Sequence, residues 1–367
     1  MKHNQVRQVV FPLLTALIWG TAFVAQDVCA DAMDSMTFNA SRFFIAFLAL
    51  LVIVFIFDRL KKDHPSQTAV QRKQARKSLA LGGFCCGTAL ALAAYLQQAG
   101  MTAGTDAGKA GFITALYIVL VPIFGLFLHK KVSLPIWISV ALAVVALYLL
   151  CITSGFSIAP GDILMLACAA GFAVHILVCD HFTQFVDGMK LSCIQFLVAA
   201  VWSSIGMFIL ETPTWSSIVS CALPILYVGI FSSGVGYTLQ ILAQKDSNPT
   251  VVTLLLSMES VFAVLAGAVL LHQQMSMREY MGCLLMLVAV VLAQIPFPQR
   301  KKAVLFLNFT KKDLFLTEQV FFLIFFGTHC TDTPPEPPHV PWKAPGHPPE
   351  TPASGTRCCP RTSRGLP

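Results

Sequence analysis

Hydrophobic residues in this chain come in long unbroken blocks, not in the alternation of a half-buried strand or the stripe of a surface helix. Ten such blocks can be drawn, at about 9–28, 36–57, 79–99, 109–128, 133–152, 161–180, 189–210, 221–243, 249–271 and 276–296. Each is roughly 18–23 residues long, the length an α-helix needs to cross a bilayer core about 30 Å thick. The pattern predicts an all-α membrane protein with ten transmembrane helices. Most connections are short. The exception, Asp58 to Ser78, is rich in Lys, Arg, Gln and His. It reads as a solvated, positively charged loop, with binding to anionic lipid heads as an alternative.

The blocks are not independent. Gly111–Thr114, Pro122–His129 and Val132–Ser133 are echoed downstream by Leu254–Ser257, Leu265–His272 and Met275–Ser276. Aligning His129 with His272 sets Thr114 opposite Ser257 without a gap. A weaker match sets Gly20 and Ala22 opposite Gly171 and Ala173. Five spans per copy means that the second copy enters the membrane in the opposite sense, so the expected architecture is two inverted five-helix repeats. The expected boundaries are 1–152 and 153–299, followed by a tail, 300–367. Duplicated, inverted halves are the sequence mark of a carrier whose binding site lies where the halves meet.

Composition strengthens the membrane reading: 56% of residues are hydrophobic and 12% charged, and the mean hydropathy is +0.71. Soluble chains carry about 25% charged residues. The basic residues also fix a topology. With the N-terminus inside, Lys2, Arg7, the Arg59–Lys77 cluster, Lys130, Lys131, Lys190, Lys245 and Arg300–Lys302 all fall on the cytoplasmic side. Only Lys109 and Arg278 fall outside, so both termini are expected in the cytoplasm of a multi-pass protein of the cytoplasmic (inner) membrane. The net charge of +7 is therefore topology and not affinity for nucleic acid. Most of the 12 cysteines sit inside apolar blocks and none has metal-ligand spacing. The first block continues through Trp19, Gly20 and Phe23 with no cleavage site after it, which argues against a removed signal peptide.

Beyond Pro296 the character changes. Two apolar runs, Val304–Leu307 and Val320–Phe326, are too short to span, and the proline-rich stretch from Thr331 cannot bury a core. The tail is expected to be disordered and dispensable for transport.

Two five-helix halves, Leu17–Phe23 in the first span, Pro122 in the fourth, and Met258–Ala263 leading to Leu270–Gln273 in the ninth resemble the EamA-type transporters of the drug/metabolite transporter superfamily. The similarity covers about residues 8–296. It implies a ten-helix permease for small metabolites, often amino acids or amphiphilic compounds moved outward in bacteria. One departure is clear. Where such proteins usually carry Gly-Glu after the fourth and ninth helices, this chain has His129-Lys130 and His272-Gln273.

Polar residues inside the blocks are the candidates for binding solute, because a charge at mid-bilayer costs a few kcal/mol unless it meets a partner or water. Glu259 is such a residue: it is read as a site for a substrate amine or a proton, or else as a carboxyl locking its helix to a neighbour. Arg42, about two turns into the second span, is placed to receive a carboxylate or to pair with Glu259, Asp27 or a helix-end carbonyl. Asn39 shares its face. Gln97 and Gln98 correspond roughly to Gln240 and Gln244, and either line a polar cavity or bond helices together. Trp19 and Tyr117 can stack on an apolar solute or simply pack. The substrate-binding set is thus Glu259, Arg42, Trp19, Asn39, Gln97, Tyr117 and Gln240. His175 reads as a proton acceptor or, more readily, a packing residue, Gly83 with Gly87 and Ala263 with Gly267 as close-approach points, and Pro122 as a hinge or the source of an exposed carbonyl beside the site.

No phosphate-cradling loop, zinc-protease His pair, nucleophile elbow or cluster of acids is present. The expectation is a secondary transporter, not an enzyme and without a cofactor, that works by alternating access. Its partners are a small-molecule substrate and membrane lipid, with a homodimer left open. The alternative is a non-transporting membrane receptor or assembly subunit.

Overall fold

A computed structural model describes residues 3–60, 69–105, 107–128, 132–151, 159–245, 247–270 and 275–294, all within one compact unit, Met1–Lys302. His129-Lys130, His272-Gln273 and the tail lie outside the described residues. Among the described residues there is no strand. The first half comprises α1 (His3–Ala30), α2 (Ser35–Leu60), α3 (Ala69–Thr102), α4 (Ala107–Ala115), α5 (Tyr117–Phe127) and α6 (Leu134–Cys151). The second comprises α7 (Pro160–Thr183), α8 (Gly188–Leu210), a short α9 (Trp215–Ser220), α10 (Ala222–Tyr227), a π-helical stretch Val228–Tyr237, α11 (Thr238–Gln244), α12 (Pro249–Leu256), α13 (Glu259–Leu270) and α14 (Met277–Gln294).

Among the described residues, eight helical segments are long and apolar enough to cross a membrane, and two shorter apolar ones, Leu134–Leu150 and Pro249–Leu265, stand at the remaining expected spans. Large side chains such as Leu51, Val52 and Phe55 on α2 and Phe208 and Ile209 on α8 stand exposed. In a bilayer that surface meets lipid, which has no reason to expel it. The polar segment after Asp58 is shorter than a loop of about 20 residues. α2 runs to Leu60 and α3 starts at Ala69, so Arg72, Lys73, Arg76 and Lys77 stand exposed on the opening turns of a helix.

Exchanging each helix for its counterpart in the other half preserves the main packing pairs. α3 packs on α7 and α8, while α10–α11 pack on α1 and α2; α1 packs on α12 and α13, while α7 packs on α4 and α5. α2 with α8, and α6 with α14, are self-paired across the halves. This is the packing of inverted repeats, with one feature that the linear sequence hides. The first helix of each half packs among the later helices of the other, giving one body of α1 with α10–α13 and another of α7 with α3–α5.

Two of the spans are broken at places that lie two residues apart in the aligned copies. Leu116 (φ −61°, ψ −9°) separates α4 from α5, and Ser257 (φ −64°, ψ −10°) separates α12 from Met258 and α13. With ψ near zero the chain tightens into i→i+3 bonds: Leu116 N–H to Ile113 O (3.1 Å) and Met258 N–H to Leu255 O (3.2 Å). The break lies at Leu116 and not at Pro122, which sits inside a continuous α5. Gly83 and Gly87 serve close approach as expected, since a Cβ on either would collide with Ile194 or with Gln195 O and Val198 of α8.

Candidate functional site

These helices line a partly open cavity whose empty volume, its open mouth included, is about 490 Å³. α1 contributes Trp19, Ala22, Phe23 and Gln26; α2, Arg42; α3, Gln97; α4 and α5, Thr114 and Tyr117. From the second half come Phe172, His175 and Ile176 of α7, Ser232 and Tyr237 of the π-helical stretch, Gln240 of α11, and Glu259 of α13. The lining positions of α1 and α7 follow the same i, i+3, i+4 step, Trp19/Ala22/Phe23 against Phe172/His175/Ile176. That register differs by two residues from the match of Gly20 to Gly171.

Arg42 is buried, with its guanidinium over the rings of Phe43 (4.8 Å) and Phe38 (5.1 Å). Its Nη1 donates to Gln26 Oε1 (3.1 Å), and its Nε has no hydrogen-bond partner. Glu259, at the first position of α13, is also buried and accepts a hydrogen bond from the Tyr117 hydroxyl at 3.3 Å. Among the described residues no ion pair joins Arg42 to Glu259, although both face one cavity. Gln240 is buried with both amide atoms unpartnered. Burying polar groups without partners costs on the order of 1–3 kcal/mol each, so these atoms mark where water or a solute completes the site.

The other amides divide as the alternatives allowed. Gln97 faces the cavity and donates to Thr114 Oγ1 (3.4 Å). Gln98 and Gln244 turn away and hold helices together: Gln98 donates to Gln26 O of α1 (3.3 Å) and Gln244 to Ile176 O of α7 (3.0 Å), each reaching the first helix of a half. Asn39 is buried with both amide atoms unpartnered but does not line the cavity. Six of the seven residues singled out from the sequence therefore converge, and Asn39 does not join them.

Sequence reasoning passed over three features. His175 reaches the cavity wall; its Nε2 lies 3.1 Å from Gln195 Oε1 and 3.3 Å from Cys179 Sγ, and its Nδ1 is unpartnered. Tyr237 is the aromatic centre of the wall, with ring centroids 4.7 Å from Trp19 and 5.8 Å from His175 and from Phe196. The π-helical stretch carries Tyr237 and Ser232, and Trp19 Nε1 donates to Ser232 O (3.1 Å) while Thr15 Oγ1 donates to Gly236 O (3.1 Å). Wide π turns inside membrane helices recur at functional sites.

A polytopic helical bundle of two inverted repeats, with a polar cavity where they cross, defines the class of membrane transporters. The chain belongs to the EamA-like transporter family, whose model matches twice, over residues 7–152 and 159–294. The members of that family are transporters, not enzymes. An uncharacterized transporter of Archaeoglobus fulgidus is 32% identical over 290 residues, covering 77% of this chain and 84% of its own. A solved crystal structure with 16% sequence identity superposes with a TM-score of 0.64, covering 78% of this chain and 96% of its own, and so shares the fold.

Proposed function

We propose that this protein is a secondary carrier that exports a small zwitterionic metabolite, an amino acid with an apolar side chain, across the cytoplasmic membrane by alternating access. The observation that carries the reading is that the Arg42 guanidinium and the Glu259 carboxyl line one cavity without bonding to each other. Two isolated buried charges are costly, whereas a ligand carrying both complements would stabilise each. In the proposed arrangement the planar guanidinium fork of Arg42 receives a carboxylate. Glu259, oriented by Tyr117, receives the ammonium. Gln240 supplies a donor and an acceptor, and Trp19, Phe23, Phe172 and Tyr237 enclose the apolar part.

The packing suggests which parts move. The bodies that would rock are α1 with α10–α13 against α7 with α3–α5, not one sequence half against the other. The Tyr117–Glu259, Gln98–Gln26 and Gln244–Ile176 hydrogen bonds all join these bodies and would exchange as access alternates. The distribution of basic residues supports a topology with both chain ends in the cytoplasm.

The test is uptake of radiolabelled phenylalanine into proteoliposomes, with phenethylamine and 3-phenylpropionate as competitors that each lack one charged group. Uptake is expected in the wild type, with either competitor at least about 10-fold weaker than the amino acid, since one charged hydrogen bond contributes about 1.5–3 kcal/mol. Equal competition by all three would contradict the zwitterion reading. Binding without flux would favour a receptor.

A further inference from the structure

The contact between α1 and the π-helical stretch contains a position whose size matters beyond packing. Trp19 forms part of the cavity wall, and its indole lies back against the stretch through the bond from Nε1 to Ser232 O. It can do so because residue 236 is glycine: a Cβ there would stand 2.6 Å from Trp19 Nε1 and 3.2 Å from Cδ1. Thr15, one turn earlier on α1, holds Gly236 O in the same way, so two side chains of one helix face dock on this stretch. α1 has no room to retreat. On the neighbouring face, about 100° around the helix from Trp19, Gly20 is already in backbone contact with α13, where a Cβ would meet Glu259 O at 2.6 Å and Ala263 N at 2.9 Å.

A methyl group at 236 therefore cannot be absorbed by moving the helix, and the indole itself must give way. The rigid ring packs on Tyr237 and bonds to Ser232 of the same stretch, and the empty space it borders is the cavity. We propose that Gly236 is the specificity-determining position of the cavity, setting the upper size of the apolar group that a solute can present by letting Trp19 lie back in the wall. Glycine at 236 leaves the space for a large side chain; any larger residue brings the indole forward into it. The inference rests on the proposed solute-binding role of the cavity and goes on to name what limits the solute.

The experiment measures competition of alanine, valine, leucine, phenylalanine and tryptophan for binding to the purified protein in nanodiscs. The variants are Gly236→Ala, Trp19→Leu and the double variant. In a hydrophobic pocket a change of one methylene alters affinity by roughly 10- to 200-fold. Gly236→Ala should therefore lower the ratio of tryptophan to alanine affinity by at least about 10-fold, and Trp19→Leu should raise it. The double variant should recover most of the ratio, because the ring that was displaced is gone. If Gly236→Ala weakens every solute equally, or if Trp19→Leu does not restore the ratio in the double variant, the proposal is overturned. Should Gly236→Ala not fold, an unchanged ratio in Trp19→Leu alone overturns it. A wild type that binds none of the five would instead remove the underlying reading of the cavity, an outcome distinct from a wild type that binds them and variants that do not discriminate.

Discussion

Replacing Glu211 by Ala should loosen the joint between α2 and α8, and the loss can be worked from the geometry. Glu211 follows the last residue of α8, and its carboxylate accepts three hydrogen bonds from the start of α2: Met36 N–H to Oε1, Thr37 N–H to Oε2 and Thr37 Oγ1 to Oε2, each at 2.7 Å. Met36 and Thr37 belong to the first turn of α2, where N–H groups have no partner within the helix. A carboxylate there also complements the helix dipole. Charge-assisted hydrogen bonds contribute about 1.5–3 kcal/mol and a helix cap about 0.5–2 kcal/mol. The contacts are half-buried and share one acceptor group, so water recovers part of the loss and the three do not add in full. The expected cost is about 2–4 kcal/mol, with Glu211→Gln losing about half as much because one oxygen still accepts. Thermal melting in nanodiscs should show Glu211→Ala lowered by about 4–16 °C, using the scaling of about 2–4 °C per kcal/mol for chains of 150–250 residues. A melting point for Glu211→Ala within about 1 °C of wild type would show that water replaces this clamp freely, and the reasoning would fail.

The opposite end of the same helix pair makes a contrast. Lys190 Nζ lies 2.7 Å from Asp58 Oδ2, with both side chains more than a third exposed, so Asp58→Asn should cost no more than about 1 kcal/mol and shift the melting point by less than about 4 °C. Arg42→Met removes a buried charge whose desolvation is costly, so it should melt at or above the wild-type temperature while weakening amino-acid binding roughly 10- to 150-fold; a lower melting point with unchanged affinity would make Arg42 structural. Gly20→Ala should destabilise by about 1–3 kcal/mol through the backbone collision with Glu259 and Ala263, seen as a lower melting point, and an unaltered melting point would refute the tight contact of α1 with α13. Truncation after Gln299 should leave uptake intact, and loss of uptake at normal expression would give the tail a role.

Block lengths, basic residues and the aligned histidines carry the ten spans and the duplication, because bilayer thickness and charge asymmetry act on sequence directly. The exchange of α1 and α7 between bodies was not legible, since it depends on which faces of equally apolar helices meet. Nor were the breaks at Leu116 and Ser257: neither is Pro or Gly, and Pro122 drew attention to the wrong turn. The neighbours Gln97 and Gln98 show the limit most plainly. They are the same residue one position apart, about 100° around the helix, and only packing sends one to the cavity and the other to a carbonyl of α1. His175 was passed over because a lone histidine carries no spacing signal. The π-helical stretch has only its run of Gly229, Ser232, Ser233, Gly234 and Gly236 to announce it, a composition common to any tight helix crossing.

The central claim is that the cavity between the two crossed bodies opens to each side of the membrane in turn. It is tested most directly by placing a single cysteine at Ser232 in a variant stripped of the 12 native cysteines, and exposing right-side-out and inside-out vesicles to a membrane-impermeant maleimide. The account predicts labelling of position 232 from both faces, slowed from both by a transported amino acid. Labelling confined to one face would contradict it.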